Sequence, residues 1–473
     1  MLENWFIMLP EICIISFFAL AFPIDRYRKE KTSKTFFTLA QFFLLATVSA
    51  TLIFYNKSAY PSLWQNTPLS TLFKIFAYLL AWAWFYLSSK WFLNKNRPSF
   101  QFYGLCLMLL LMFDILASSS SLLTLMVTIP LIFFLYYKIF LRHWDPTRML
   151  SPARKYALTA TMFIILLYVG CAILYRASGS FEYNAIKQFL KITTNQTPLI
   201  MLAVLLIISC FMFMMAFAPF HNWFVSIVSK GVLPVIGFIT LVPQLIYLCA
   251  LINITNNAFA PIINFISPII CVFSVMSLIV GALSANQENN IRRMFAFITV
   301  YCTGFTYAGL QGFSEHDLIA SFAYCIISVL SLTGVYTIFS GLKSRGEYLS
   351  DINVINGFYN SRPYLSAALL VFMFSLIGLA PTLGFFGYLS VINSLVVSKQ
   401  WWLILIIFFS LIFVASSCLQ VVRNIYFEAN TVKFDRADSS IYICLFIIAL
   451  MILIFLINPA WLLRDAIIIL GGL

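Results

Sequence analysis

The chain has 473 residues, of which 62% are hydrophobic and only 10% are charged, and its mean hydropathy is +0.95. An ordinary soluble domain is about half apolar and about a quarter charged. So few polar side chains cannot cover the surface of a water-soluble protein of this length. The composition therefore excludes a soluble protein and predicts an all-α polytopic membrane protein.

The net charge of +13 would favour nucleic-acid binding in a soluble protein. Here the basic residues lie in short loops between apolar runs, so we predict no nucleic-acid partner. The 10 cysteines stand singly in apolar segments without a C-x-x-C pair. This pattern predicts small buried side chains and neither a metal site nor a disulfide.

Apolar runs of about 20 residues cross a bilayer as helices, because every backbone amide must find its hydrogen bond within the segment. The first run has no basic leader and no small-residue cleavage site, so we expect it to be a retained span. The sequence predicts about 14 spans, near 4–23, 36–55, 71–92, 101–119, 121–140, 155–176, 198–219, 231–252, 258–284, 291–311, 318–342, 363–388, 391–416 and 439–459.

The distribution of basic residues predicts the orientation of these spans. The loop after the first span carries Arg26, Arg28, Lys29, Lys31 and Lys34, and cytoplasmic loops collect Lys and Arg. With that loop inside, the even number of spans predicts that both termini lie on the outer side of the membrane. All but seven of the 29 basic residues then fall on the inner side; the seven are Lys57, Lys74, Arg176, Lys187, Lys191, Lys399 and Arg464.

Two spans carry a proline near their far ends, in Ala218-Pro219-Phe220 and in Ala380-Pro381-Thr382. Proline removes an amide donor and clashes with the preceding turn. A pair of broken spans in corresponding places is typical of transporters built from inverted repeats, although single membrane helices also tolerate proline. We predict helix breaks at Pro219 and Pro381.

Ionisable side chains inside the spans are the next candidates, since each costs about 2.5–3.5 kcal/mol at the bilayer centre. Lysines near span ends reach the interface with their long side chains, and His221 also fits a helix-end hydrogen bond. Asp114 is expected well inside the fourth span. We retain Asp114, His221 and Lys74 as proton-path candidates, from a set that also contains Glu11, Lys90, Lys138 and Lys155.

Several segments, in this order along the chain, resemble the antiporter-like membrane subunits of respiratory complex I, and most closely subunit N, which is subunit two in mitochondria. The segments are Leu9-Pro10-Glu11-Ile12, Ser70-Thr71-Leu72-Phe73-Lys74-Ile75, Leu116-Ala117-Ser118-Ser119, Ala218-Pro219-Phe220-His221-Asn222-Trp223, and Ser375-Leu376-Ile377-Gly378 with Leu383-Gly384-Phe385-Phe386-Gly387.

The resemblance implies a membrane-arm subunit of the proton-translocating NADH:quinone oxidoreductase, with two inverted five-helix repeats and broken spans seven and twelve. It implies an N-terminal part of three spans at 1–100, repeats at 101–252 and 258–424, and a C-terminal span at 425–473. The expected partners are other membrane-arm subunits, especially the sister antiporter-like subunits, together with membrane lipids. Flavin and iron–sulfur clusters then belong to partner subunits and quinone to the complex, so that this chain holds no cofactor. The expected location is a bacterial plasma membrane or a mitochondrial inner membrane.

The chain departs from the family along its central hydrophilic axis, where the family has a Glu in span five and a Lys in each of spans seven, eight and twelve. Pro130, Met214, Gln244 and Tyr388 stand at these positions. Moving protons needs groups whose charge neighbours can switch. The sequence therefore predicts a subunit that keeps its place in the arm but has reduced or absent pumping of its own. The alternative is a subunit of a multi-subunit cation/proton antiporter, although such subunits usually keep the same lysines.

Overall fold

The computed structural model describes residues 7–27, 33–55, 57–58, 60–94, 99–142, 146–192, 197–344, 347–348, 352–429, 434 and 439–457. Several positions used above fall outside these ranges. They are 4–6 of the first predicted span, 458–459 of the last, and Arg28, Lys29, Lys31 and Arg464.

The first half of the chain forms long apolar helices joined by short connections. These helices are α1 (Leu9–Tyr27), α2 (Ser33–Ile53), α3 (Pro68–Asn94), α4 (Ser99–Ala117), α5 (Leu122–Arg142), α6 (Pro146–Ser178), the short amphipathic α7 (Tyr183–Ile192), α8 (Pro198–Met214), α9 (Asn222–Lys230) and α10 (Leu233–Asn257).

The second half has the same character. A 3₁₀ turn at Ala260–Ile262 leads to α11 (Ile263–Gln287), α12 (Ile291–Ala308) and α13 (Glu315–Gly341). A small antiparallel hairpin pairs β1 (Lys343–Ser344) with β2 (Glu347–Tyr348). It is followed by a 3₁₀ turn at Ile352–Ile355, α14 (Phe358–Ser361), α15 (Pro363–Ile377), α16 (Leu383–Val397), α17 (Trp401–Phe427) and α18 (Ser439–Ile457).

The predicted helical membrane fold is confirmed. Within the described ranges, 9 helices are long and apolar enough to cross a bilayer, and five shorter segments are also apolar. Every predicted span overlaps a helix, but α12 belongs to neither set. The number of 14 spans therefore stays a prediction.

The two spans with matched prolines each consist of two helices separated by a non-helical segment. The predicted span 198–219 is α8, which ends at Met214, and α9 continues beyond Pro219. Pro381 lies between α15 and α16, and both Ala–Pro peptide bonds are cis. The predicted boundary at 388–391 is wrong, because it falls inside α16. The apolar run continues there, and the chain turns only at Lys399, whose φ is 57°.

The chain forms two compact units. Unit 1 comprises the described residues of Met1–Met214 and Val242–Phe265, and unit 2 those of Met215–Leu241 and Ile266–Leu473. In unit 1, α1, α2 and α3 pack in sequence, α4 contacts all three, and α6 packs along α8. In unit 2, α13 packs against α15 and α16, and 94% of its most apolar stretch is buried.

Candidate functional site

Three ionisable side chains meet inside unit 1, where α1 and α3 pack against α4. Lys74 Nζ lies 2.7 Å from Asp114 Oδ1, and these side chains are 2% and 1% exposed. Glu11, on α1, is 6% exposed and interacts with both. We call Glu11, Lys74 and Asp114 the buried cluster. An ion pair this deeply buried must be held by further polar contacts, because removing both charges from water costs several kcal/mol per ion.

The Lys74 ammonium group makes further polar contacts of this kind. Besides Asp114, it donates to Asn66 Oδ1 at 2.7 Å and to Ser118 Oγ at 3.2 Å. An ammonium group has three donors; two of them have hydrogen-bond acceptors here, and Asp114 supplies the opposite charge. The two acceptors are themselves oriented, since Asn66 Nδ2 donates to the Lys57 carbonyl at 3.1 Å and Ser118 Oγ donates to the Asp114 carbonyl at 2.9 Å. The positive charge is therefore held in one place.

The carboxylate side of the buried cluster is not satisfied in the same way. Glu11 Oε2 and Asp114 Oδ2 have no hydrogen-bond partner among the described residues. The Tyr78 hydroxyl, one helical turn after Lys74, is also buried and interacts with Asp114. Buried polar atoms are nearly always hydrogen-bonded. Two carboxyl groups that share one protonated lysine and have spare oxygens can accept a proton.

The positions of the three residues on their helices also affect how well each charge is stabilised. Glu11 is in the first turn of α1, where the helix dipole favours a negative charge. Asp114 is in the last turn of α4, closer to the helix end than the sequence predicts, because α4 ends at Ala117. A carboxylate there is disfavoured by the dipole. Lys74, in the second turn of α3, supplies the compensating charge.

A polar cavity lies next to the loops that close this end of unit 1. Its volume is about 50 Å³, enough for at least one water molecule. Gln65 lines it, and the backbone N–H of Gln65 donates to the Ser118 carbonyl at 2.6 Å. The other lining residues are Pro61, Ser62, Ser120, Glu182, Tyr183, Asn184 and Asn257. Polar groups therefore run from the cavity to Asn66 and Ser118, which contact Lys74.

His221 belongs to unit 2 and is not part of the buried cluster. It is 9% exposed, stands at the start of α9 without capping the helix through its side chain, and has its ring 5.8 Å from that of Phe297. Its Nδ1 has no partner among the described residues. The non-helical segment before α9 is held by a hydrogen bond in which Ala218 N donates to Ser277 Oγ at 2.9 Å.

The four positions at which the family has the charged residues of its central axis hold no group that is charged at neutral pH. Pro130 is half-buried within α5, and Gln244 is half-buried within α10. Met214, the last residue of α8, is 3% exposed. The Tyr388 hydroxyl donates to the Leu376 carbonyl at 3.0 Å, so its proton is already engaged.

The helix interiors of unit 2 share this lack of charge. Within the described parts of α11–α13 and α15–α17, the Asp, Glu, Lys, Arg and His residues lie in the first turn of a helix or in its last two turns. Aromatic and hydroxyl contacts fill the middle instead, with the Tyr388 ring 4.5 Å from Phe305 and 5.4 Å from Tyr324. Ser331 and Ser375 join α13 and α15 through a 2.8 Å hydrogen bond.

Sequence reasoning retained Lys74 and Asp114 but not the other members of this site. Glu11 was among the ionisable candidates, and its place one turn into an apolar helix was the available signal. Tyr78 could have been found from its spacing of four residues to Lys74, which places both on one face of a helix. Nothing in the sequence marks Asn66 or Ser118, whose roles depend on loop geometry.

Comparison with known proteins places the chain among membrane subunits. The family described as "NADH:quinone oxidoreductase/Mrp antiporter, TM" matches residues 119–414. The NADH-quinone oxidoreductase subunit N of Granulibacter bethesdensis is 24% identical over 472 residues, covering 98% of each chain. All three residues of the buried cluster precede the family match.

Two solved structures share the fold. A chain of respiratory complex I from Thermus thermophilus superimposes with a TM-score of 0.79 at 20% identity, covering 97% of this chain and 98% of that one. A chain of the Mrp complex from Dietzia sp. DQ12-45-1b superimposes with a TM-score of 0.84 at 15% identity, covering 100% and 98%. The two likenesses are similar, so the fold does not distinguish between these complexes.

Proposed function

Because the chain belongs to the NADH:quinone oxidoreductase/Mrp antiporter transmembrane family, we propose that it is a membrane-arm subunit of a proton-translocating NADH:quinone oxidoreductase, in the position of subunit N. One observation carries this proposal: a relative with that name aligns over 98% of both chains. The likeness to the Mrp complex concerns the fold at 15% identity. A cation/proton antiporter subunit is therefore the less supported alternative.

In this role the subunit is integral to an energy-converting membrane, with its partners beside it in the arm. Electrons pass elsewhere: NADH, flavin and iron–sulfur clusters belong to partner subunits and quinone to the complex. The described residues contain no group of three His, Cys, Asp or Glu side chains placed to hold a metal ion. The placement of both termini on the outer side rests on the distribution of Lys and Arg.

We infer the repeat architecture from the order of the helices. The first repeat, predicted at 101–252, would run from α4 to α10, and the second, at 258–424, from α11 to α17. Each has three helices, then a broken helix containing a proline, then one more long helix. The short α7 is an addition to the first repeat, as the short α14 is to the second. The residues at 1–100 and 425–473 then flank the repeats.

We further propose that the subunit serves the arm mainly as structure and does not carry a proton from one face to the other along the family's axis. The uncharged interiors of the unit 2 helices support this. A carrier site needs a group that binds and releases a proton in the working range of pH. Met214 is buried and uncharged, and the Tyr388 hydroxyl donates to a carbonyl.

The test is to tag this chain in its own organism, extract the membranes in a mild detergent, capture the chain, and identify what comes with it by mass spectrometry. The proposal expects the NADH-oxidising and iron–sulfur subunits and the sister antiporter-like subunits in comparable amounts. A tagged unrelated membrane protein of the same organism is the control. Recovery with cation-antiporter subunits, or alone, would overturn the assignment.

A further inference from the structure

We propose that Glu11 and Asp114, held beside Lys74, form a proton-binding site that opens to one face of the membrane. The site lies on α1, α3 and α4, outside the residues matched by the family. It is thus separate from the axis positions discussed above, and it does not depend on which complex the subunit serves.

The charge count is the first argument. Lys74 carries one positive charge, held by two hydrogen bonds and the ion pair with Asp114, while Glu11 and Asp114 can carry two negative charges. With both carboxyl groups ionised, the buried cluster holds a net charge of −1, which is costly in an apolar bundle. Two neighbouring carboxylates do not both ionise readily. The cluster is neutral when the two carboxyl groups share one proton.

Free acceptor atoms are the second argument. A structural ion pair of this depth is expected to have every polar atom satisfied. Here Glu11 Oε2 and Asp114 Oδ2 accept no hydrogen bond from a donor among the described residues, although the two residues are only 6% and 2% exposed and their side chains interact with each other. A proton shared by the two carboxyl groups would satisfy these atoms. Asp317, another buried carboxylate, accepts from Gly312 N, Ser314 N and Ser394 Oγ.

Access is the third argument. Asn66, 9% exposed, separates the cluster from the loop surface, and the neighbouring Gln65 lines the polar cavity. Ser118 contacts Lys74 on one side, and the Gln65 amide holds its carbonyl on the other. A proton can therefore reach the cluster from the face where α1 and α3 begin and α4 ends.

The opposite direction offers no comparable route. In α1 and α3, the next Asp, Glu, Lys, Arg or His beyond the cluster lies near the far end of the helix, and α4 contains none besides Asp114. The titratable groups facing the cluster from its surroundings are the weakly acidic Cys13, Tyr78 and Cys249. The adjacent α2 contributes no charged side chain after Lys34, and those of α5 are Lys138 and Arg142 at its far end. The site therefore exchanges its proton with one side of the membrane.

Dicyclohexylcarbodiimide tests the proposal directly, because it enters bilayers and reacts with protonated carboxyl groups. The carboxyl oxygen bonds to the central carbon of the reagent as the proton moves to its nitrogen, and rearrangement leaves a stable acylurea. Native membranes containing the full complex are treated across a pH series, and peptides are quantified by mass spectrometry. We expect adducts on Glu11 or Asp114, falling as the pH rises, and exceeding those on Asp317 by about tenfold or more.

Variants make the result specific. Glu11→Gln should remove the adduct at its own position, while Asp114→Asn should leave Glu11 as the carboxyl group nearest Lys74 and lower its labelling. Asp317, capped by three donors, is the internal control for a buried carboxylate. Equal labelling of Asp317 and the cluster, or no adduct on Glu11 and Asp114 at the lowest pH, would overturn the proposal. Labelling is read in membranes whatever proteins the chain copurifies with, so this test can fail while the proposed function stands, and the reverse.

Discussion

Lys74 supplies the positive charge on which the stability of the buried cluster depends. A lysine near the end of a membrane helix usually extends its ammonium group to the interface. Lys138, near the end of α5, is exposed, with its ammonium group 5.2 Å from the centre of the Phe134 ring. Lys74 is instead turned inward and enclosed by Asp114, Asn66 and Ser118. The difference is the presence of acceptors, which outweighs the cost of dehydrating the charge.

Replacing this lysine should therefore destabilise the subunit. Lys74→Met leaves Asp114 and Glu11 buried without a countercharge, and we expect a loss of about 3–5 kcal/mol. Thermal denaturation of the detergent-extracted complex measures it. The double variant Lys74→Met/Asp114→Asn should recover part of the loss, because it removes the uncompensated charge. Lys138→Met, on the exposed end of α5, should change stability by less than about 0.5 kcal/mol. An equal effect of both single variants would contradict this account.

A second prediction at this scale concerns the missing axis. Met214→Lys would place an ammonium group at a site that is 3% exposed, at the end of the apolar α8. We expect a loss of folded subunit and no gain in protons moved per NADH, since burying an unpaired charge costs several kcal/mol. Immunoblots of membrane fractions and proton uptake by inverted vesicles provide the two measurements. Gln244→Lys, at a half-buried position, is the milder control.

Among the helices, α15 and α16 show how closely the two parts of a broken span approach each other. A Cβ on Gly384, in the first turn of α16, would collide with the Ser375 carbonyl of α15. Gly378, which ends α15, has a φ of 80°, in the left-handed region that glycine tolerates. The break is therefore specified by small residues around Pro381 as much as by the proline.

Gly384→Ala tests this packing. The added methyl group meets a backbone atom that no side-chain rotation can move, so we expect about 3 kcal/mol of destabilisation. Gly104→Ala is the matched control, because its Cβ would lie 3.4 Å from a ring carbon of Phe18, a side chain that can shift. The readout is the temperature at which the extracted complex loses this subunit. Loss of stability in Gly104→Ala alone would show that the approach of α15 and α16 does not matter.

Across the whole molecule, the four axis positions carry no charged side chain, and the helices that contain them still form. Met214, Pro130 and Tyr388 lie in apolar helices and bring no charge that would have to be dehydrated. Under the proposed function, the fold and proton conduction therefore depend on different residues, which is the usual relation between a fold and the sites it hosts.

This separation predicts that the proton stoichiometry of the complex is insensitive to Tyr388. Tyr388→Phe removes the hydrogen bond to Leu376, which contributes about 1 kcal/mol, and leaves the ring contacts with Phe305 and Tyr324. We expect a slightly less stable complex that moves the same number of protons per NADH, measured with a pH electrode on sealed inverted vesicles. A lower ratio in this variant, with the complex intact, would mean that the subunit conducts protons through unit 2.

The sequence by itself determined the membrane class, the helical architecture and the approximate position of most helices, because hydropathy and the length of apolar runs are local properties that decide whether a segment can enter a bilayer. It also pointed to the prolines of the two breaks. The predicted boundary at 388–391 was wrong, because the apolar run is uninterrupted there and hydropathy alone does not show where the chain turns.

The tertiary structure decided the buried cluster. Residues 11, 74 and 114 are far apart in the chain and belong to three helices; Glu11 and Lys74 look like helix-end charges in isolation, and Asp114 like a single acidic residue inside a span. Their meaning comes from packing, which brings one ammonium group and two carboxyl groups together with more acceptor atoms than donors. His221 remained separate from them for the same reason, since its place is set by the break before α9 and not by its charge.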